Sequence, residues 1–311
     1  MSLAGAYGKS DEEEGVAAIE RALDLGIDML DTAEAYGNGR NERLAGRVLA
    51  GKRERAVVAT KWGIAMEGSR MVARGRPEQA RRAIEGSLER LGTDHVDLYY
   101  LHRRDPDVPI EESVGAMGRL VEEGKVRLLG LSGVSSSTLR RAHAEHPIAA
   151  LQSEYSIFSR EAEGTTLDAC AELGIAFVAY SPLGRGLLTG ALGKPDDFGE
   201  QDLRRLSPRL QGENFDENLA RVEALVAYAE QLELTPAQLA LAWVRARGAI
   251  PLFGTRRVAR IESNARAAEV ELDAGVLDRI DELVPRGCVR GDSLPDDLDH
   301  LTEHEPASDP V

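Results

Sequence analysis

Three features of the sequence predict a parallel α/β fold closed as a barrel. Short apolar runs rich in β-branched and aromatic residues alternate with amphipathic helical segments, which implies parallel strands joined by helical crossovers. Polar residues gather where those runs end, at Asp31, Lys61, His102, Ser132, Gln152, Tyr180 with Ser181, and Thr255. In a parallel barrel the carboxyl ends of the strands carry function. No GxGxxG turn occurs in the chain, so the competing doubly wound sheet lacks the glycine-rich turn it would need after an early strand.

The expected strands are 26–32 (GIDMLDT), 56–62 (AVVATKW), 95–102 (HVDLYYLH), 126–133 (VRLLGLSG), 149–156 (AALQSEYS), 176–183 (AFVAYSPL) and 250–255 (IPLFGT). These number seven, whereas eight strands close a barrel of this type. Before the first, Ser10 and Glu13 read as a capping box for a helix carrying Val16, Ile19 and Leu23, with Gly26 as its exit. Pro77 suits a first helical turn, followed by an apolar stripe of Ala80, Ile84, Leu88 and Leu91. Thr235, Pro236 and Gln238 open another helix, with Leu239 and Trp243 on its buried face. The long interval 184–249 begins with a Gly, Pro and charged portion and reads as a loop over an active site before helices resume. The barrel is expected over 1–288, and the Asp, Glu, Pro and Ser-rich residues 289–311 as an acidic, structureless tail.

At 311 residues and 42% hydrophobic content the chain can bury a sizeable core. It holds no apolar run near twenty residues and no secretion-type start, so a cytoplasmic protein without membrane spans is expected. The net charge of −15 disfavours nucleic acid and anionic membranes as partners. Cys170 and Cys288 lie outside any metal-ligand spacing and read as reduced thiols, with no metal site expected.

The chemistry gathers early. DTAEAYG sets Asp31 at a strand end and Tyr36 in the following loop, ATKW sets Lys61 at the next strand end, and YYLHR sets His102 at the third. Taken singly, Asp31 reads as a cap, Tyr36 as loop packing, Lys61 as a solvated charge and His102 as a half-buried histidine. Together they suit carbonyl reduction, which needs a hydride on one side and a proton for the developing alkoxide on the other. A tyrosine with reference pKa of about 10 can supply that proton when a neighbouring ammonium favours the phenolate. Lys61 would provide the charge, Asp31 would hold the lysine, and a neutral His102 would orient the carbonyl oxygen. A second basic feature, Arg256, Arg257 and Arg260 entering a helix after Gly254 and Thr255, reads as a local anion site on an otherwise acidic chain.

DTAEAYG, ATKW, YYLHR, LLGLSG, LQSEYS, AYSPLGRG and GTRR occur in one order along the chain. In that set and order the sequence resembles the aldo-keto reductase superfamily over nearly its whole length, within the branch of aryl-alcohol dehydrogenase-like and pyridoxal reductase-like enzymes. The resemblance implies a (β/α)8 TIM barrel, NADPH as cofactor, a small-molecule carbonyl substrate, and Asp31, Tyr36, Lys61 and His102 as catalytic tetrad. It further implies that Ser132 and Gln152 hold the nicotinamide carboxamide and that Tyr180 stacks on the nicotinamide ring. Ser181, Leu183 and Arg185 would lie beside the pyrophosphate. Gly254, Thr255, Arg256, Arg260 and Asn264 would take the adenosine end, with guanidinium groups on the 2′-phosphate. Trp62 and Arg103, next to tetrad members, are expected at the substrate pocket.

Three positions depart from the family pattern. Gly133 follows Ser132 where Asn or Glu is usual, and Ser263 precedes Asn264 where Glu or Gln is usual. The sequence also starts where the family's first barrel strand would be ending. The expectation is therefore a barrel lacking its first strand, closed by an earlier true start, by a homo-oligomer, or by residues 1–7 as a remnant. A cofactor-binding regulatory subunit of the channel-associated kind and a catalytically impaired barrel are the competing functional readings.

Overall fold

The computed structural model describes residues 11–68, 70–192, 198–199, 202–295, 298 and 300–305. In chain order the elements are α1 (Glu12–Asp24), β1 (Met29–Asp31), α2 (Arg40–Leu49), β2 (Val57–Trp62), β3 (Ile64–Glu67), β4 (Arg70–Ala73), α3 (Pro77–Leu91) and β5 (Val96–Leu101). Next come α4 (Ile110–Glu122), β6 (Val126–Ser132), α5 (Ser136–Glu145), β7 (Ile148–Glu154), α6 (Thr166–Leu173) and β8 (Ala176–Tyr180). The chain then runs through α7 (Gly212–Gln231), α8 (Pro236–Ala246), β9 (Ile250–Leu252), α9 (Val258–Ala265) and α10 (Ala274–Leu283). The seven expected strands are present as β1, β2 and β5 to β9.

Two compact units form. One comprises Asp28–Ser153, Ala162–Phe177 and Asp297–Val311, and the other Met1–Ile27, Glu154–Glu161 and Val178–Asp296.

The first unit is built on parallel strands in the order β1, β2, β5, β6, β7. The register sets Leu30 opposite Val58, Lys61 opposite Tyr100 and Ser132 opposite Gln152. Helices α2 to α6 lie side by side, each packed against the next. β5 is buried along its length, as expected of a strand covered on both faces. Strand alternation sorts β2 into two faces. Thr60 and Trp62 point to the helices: Thr60 Oγ1 donates to Glu42 on α2 at 2.7 Å, and Trp62 stacks on Tyr99 with centroids 6.3 Å apart. Tyr99 in turn donates to the Ala80 carbonyl of α3 at 3.0 Å. Lys61, between them, points the other way.

An antiparallel hairpin, β3 with β4, follows β2 and was not among the expected strands. It departs at Gly63, whose φ is +96° and whose added Cβ would lie 2.9 Å from Leu101 Cδ1. Only glycine meets both conditions.

In the second unit β8 and β9 pair in parallel, with Tyr180 opposite Leu252. Ala18 and Ala22 of α1 form a small core with Ile261 of α9, and Arg21 pairs with Glu262 at 2.8 Å. Trp243 is fully buried on α8, with the guanidiniums of Arg160 and Arg247 each 5.3 Å from its ring and both bonded to Asp281.

The helix signals hold with one shift. Thr235 and Gln238 form the expected capping box, and Pro77 sits in the first turn of α3. At α1 the cap is Asp11, whose carboxylate accepts from the Glu13 and Glu14 amides; Ser10 and the proposed 1–7 remnant lie outside the described residues. A carboxylate one residue closer to the helix reaches the same free amides. The interval after β8 contains a short 3-10 segment at Gly184–Thr189, two more at Leu203–Leu206 and Pro208–Leu210, and then α7. Of the acidic end of the chain, Leu301 is buried in the first unit and the Glu303 amide donates to the Gly133 carbonyl at 3.1 Å. Among the described residues, β1 pairs with β2 alone and β9 with β8 alone.

Candidate active site

Asp31, Tyr36, Lys61 and His102 all belong to the first unit, and the structure brings them together. Asp31 ends β1, Lys61 lies near the end of β2, and His102 follows β5 with its amide donating to the Trp62 carbonyl at 2.8 Å. The loop carrying Tyr36 is tied back to β2 by Thr32 N to Ala59 O at 2.8 Å and Glu34 N to Lys61 O at 3.1 Å. It is also tied to α2 by Thr32 Oγ1 on Asn41 Oδ1 at 2.8 Å. These bonds fix the phenol's approach without calling on the phenol itself.

Lys61 is fully buried and its ammonium forms an ion pair with Asp31 Oδ1, while also donating to the Thr32 carbonyl at 2.9 Å. The same Nζ lies 5.2 Å from the centroid of the Tyr36 ring and 5.6 Å from that of Tyr100. Burial lowers the Lys61 pKa, against the opposing pull of Asp31. His102 meets Tyr36 edge-on, with ring centroids 5.7 Å apart. Burial first, then the charges of Arg103 and Lys61, push the His102 pKa well below its ordinary value, so the ring is neutral near pH 7. Its buried Nδ1 has no hydrogen-bond partner among the described residues.

Ser132 and Gln152 face each other across the β6–β7 pairing. Gln152 Nε2 donates to Asp31 Oδ2 at 2.9 Å, so Asp31 is held from both sides by Lys61 and Gln152. Ser132 Oγ accepts from Arg103 Nη1 at 2.8 Å, and the same nitrogen donates to the His102 carbonyl at 2.9 Å. Gly133 makes room for this: a Cβ there would lie 2.8 Å from Arg103 Nη1. The guanidinium thus occupies the space that a side chain at 133 would take. Of the two residues expected at the substrate pocket, Arg103 bonds Ser132 Oγ and the His102 carbonyl, whereas strand alternation turns Trp62 away from Lys61 and buries it against Tyr99.

The second unit holds the remaining expected residues. Tyr180 ends β8, and Ser181 and Arg185 adopt the left-handed region at φ +54° and +57°. Arg185 Nη2 lies 3.7 Å from Glu154 Oε2. Leu183 caps the 3-10 segment that follows. Gly254 and Thr255 follow β9, and Thr255 Oγ1 accepts from the Arg257 amide at 3.2 Å before α9. Arg260 and the buried Asn264 lie on α9, and Ser263 offers its carbonyl to Gln238 at 2.8 Å. Arg260 has its pKa lowered by burial and by the charges of Arg257, Arg204 and Arg256. A bound anion would relieve that crowding, so the residues fit a phosphate.

Sequence reasoning missed four participants. Glu42 is fully buried and accepts from Thr60 and from Arg90 Nε at 2.5 Å. Glu34, its pKa raised chiefly by burial, accepts from the Gly63 amide at 3.2 Å. Arg204 joins the guanidinium group near Arg260, held by Asp202 at 2.6 Å and lying 4.5 Å from the Phe198 ring centroid. Glu303 reaches the turn after Ser132. All four are set by long-range packing, which no local pattern in the sequence records.

The profile of the aldo/keto reductase family matches residues 1–285. The chain is 43% identical over 307 residues to a probable aldo-keto reductase 1 of Glycine max, covering 97% of this chain and 88% of the other. It is 42% identical over 304 residues to aldo-keto reductase yakc [NADP(+)] of Schizosaccharomyces pombe, covering 95% and 89%. Among solved structures it resembles the glycerol dehydrogenase AKR11B4 of Gluconobacter oxydans, with TM-score 0.84, 31% identity and 92% and 89% of the two chains covered. It also resembles an aldo/keto reductase of Klebsiella pneumoniae in complex with NADP and acetate, with TM-score 0.72, 28% identity and coverage of 93% and 91%.

The chain belongs to the aldo/keto reductase family. Its fold is the (β/α)8 barrel of that family, with seven barrel strands among the described residues and the first strand absent from them.

Proposed function

We propose that this protein reduces aldehydes or ketones to alcohols with NADPH, Tyr36 giving the proton. One observation carries the reading: a buried ammonium, paired with Asp31, lies against the Tyr36 ring, and a neutral His102 meets the same ring edge-on. A positive charge beside a phenol favours loss of its proton. Asp31 and Gln152 hold Lys61 in that position, and the low His102 pKa keeps the imidazole as an uncharged partner for the carbonyl oxygen. When bound, NADPH supplies the hydride. Ser132 would hold its carboxamide, Tyr180 its nicotinamide ring, Ser181, Leu183 and Arg185 its pyrophosphate. Gly254, Thr255, Arg256, Arg260 and Asn264 would hold the adenosine end, with Gln152 steadying Asp31 as well as meeting the carboxamide. The Arg260 cluster favours NADPH over NADH, because the two dinucleotides differ there by a phosphate. The NADP(+) relative of Schizosaccharomyces pombe and the NADP complex from Klebsiella pneumoniae support this choice.

The test is NADPH consumption with a panel of aromatic and aliphatic aldehydes and ketones. Tyr36→Phe is expected to abolish turnover while keeping NADPH binding. Normal turnover in Tyr36→Phe would remove the proposed acid. Tight NADPH binding without turnover on any carbonyl would instead favour a regulatory role.

A further inference from the structure

The described end of the acidic segment makes specific contacts. The Glu303 amide donates to the Gly133 carbonyl at 3.1 Å. Its carboxylate accepts from the Ser135 amide at 3.1 Å, from Ser135 Oγ at 3.2 Å, and from Arg104 Nη1 at 2.5 Å. Glu305 accepts from the Ser136 amide at 2.7 Å and Ser136 Oγ at 2.9 Å. Leu301, two residues before Glu303, is buried and anchors the segment. The free amides at the start of α5 are thus satisfied by carboxylates from far along the chain.

These contacts join two loops that matter. Ser132 ends β6 and Gly133 follows it, while Arg104 follows His102 and Arg103 after β5. Arg103 already links the same loops through Ser132 Oγ and the His102 carbonyl. Glu303 spans them a second time, from Ser135 and Gly133 on one loop to Arg104 on the other. Gly133, with φ +63° and no side chain to fix it, is where the turn would otherwise be free to move.

We infer that segment 300–305 is a strap that locks the Ser132–Ser136 turn, with Glu303 a positioning residue for cofactor binding. Glu303 acts through Gly133, Ser135 and Arg104, and touches no reacting atom. The inference rests on the proposed role of Ser132 toward the carboxamide. Losing the strap releases Ser132 from its bound geometry, so affinity for NADPH falls while the proton-donating tetrad keeps its rate.

The experiment uses the full chain with Glu303→Gln, Glu303→Asp and Glu305→Gln. NADPH affinity is read from cofactor fluorescence, the KM for NADPH and kcat from turnover, and hydrogen exchange from the amides of residues 133–136. Glu303→Gln keeps the side chain's size but loses the charge that holds Arg104 and the Ser135 amide. It is expected to raise the Kd and KM for NADPH about tenfold, the scale of one charge-assisted hydrogen bond. The kcat should stay within about twofold, and exchange should accelerate at Ser135, as it should at Ser136 in Glu305→Gln. Glu303→Asp, which keeps the charge, is expected to recover part of the affinity. Unchanged NADPH affinity in Glu303→Gln, or an equal fall in kcat and affinity with a lowered Tm, would overturn the strap. If the wild type neither binds nor oxidises NADPH, the functional reading fails on its own. Exchange at residues 133–136 then decides the strap, and protection equal to wild type in Glu303→Gln overturns it.

Discussion

A lysine that is wholly out of solvent is stable only with its counterion, and Lys61 has one in Asp31. Removing one member of a buried pair leaves an uncompensated charge and typically costs about 3–5 kcal/mol. Asp31→Asn and Lys61→Met are therefore each expected to lower stability on that scale in urea unfolding. The double variant Asp31→Asn with Lys61→Met leaves no buried charge unpaired, so it should recover most of the lost stability while staying inactive. Stabilities of the two single variants that simply add in the double would show that the pair is not coupled. Activity and stability separate because, in the proposed reaction, the ammonium serves the phenol and the carboxylate serves the ammonium.

At the level of elements, β2 shows how a strand supplies a site. Alternation gives Lys61 to the tetrad face and gives Thr60 and Trp62 to the helices. The helix side then holds the strand in place through Glu42, which bonds Thr60 and Arg90 together. Glu42→Ala strands a buried hydroxyl and a guanidinium, and should cost about 3 kcal/mol or more. Thr235→Ala removes one N-cap bond at α8 and should cost about 1 kcal/mol. Thermal or urea unfolding checks the ranking, and equal losses would show that Glu42 is no more than a local contact. The helix caps were legible in the sequence because a cap needs neighbours within one turn. Glu42 was not, because its partners come from β2 and α3, eighteen and forty-eight residues away.

For the molecule as a whole, two buried groups contribute to the response to acid in different pH ranges. Asp97 accepts from the Val58 amide at 2.8 Å, Arg53 at 2.6 Å and Arg127 at 2.9 Å. Burial works against its charge, yet these bonds hold its pKa below the ordinary carboxylate value. Its contribution is present above the unfolded pKa of about 3.9 and is lost as pH falls through the lower folded value. His102 acts earlier. Its folded pKa lies well below the unfolded value of about 6.5, so below that pH only the unfolded chain takes up the proton and stability declines. Urea unfolding across pH is expected to show that His102→Gln flattens the fall beginning near pH 6.5, whereas Asp97→Asn lowers stability at neutral pH and flattens the fall below about pH 4. A His102→Gln profile parallel to wild type would place the acid response elsewhere.

The sequence by itself determined the seven barrel strands in their order, the family, and the four residues proposed as a tetrad, because hydrophobic period and short motifs are local properties of the chain. It also marked Arg256, Arg257 and Arg260 as one cationic group, since they lie within one turn and a half of each other. Only the tertiary structure decided that Gln152 steadies Asp31, that Arg103 fills the space beside Gly133, that Trp62 faces the helices, and that Glu303 returns to the turn after Ser132. Each of these joins residues brought close by packing rather than by spacing. A buried carboxylate or guanidinium takes whichever partner the fold delivers, and no local pattern records which one that is.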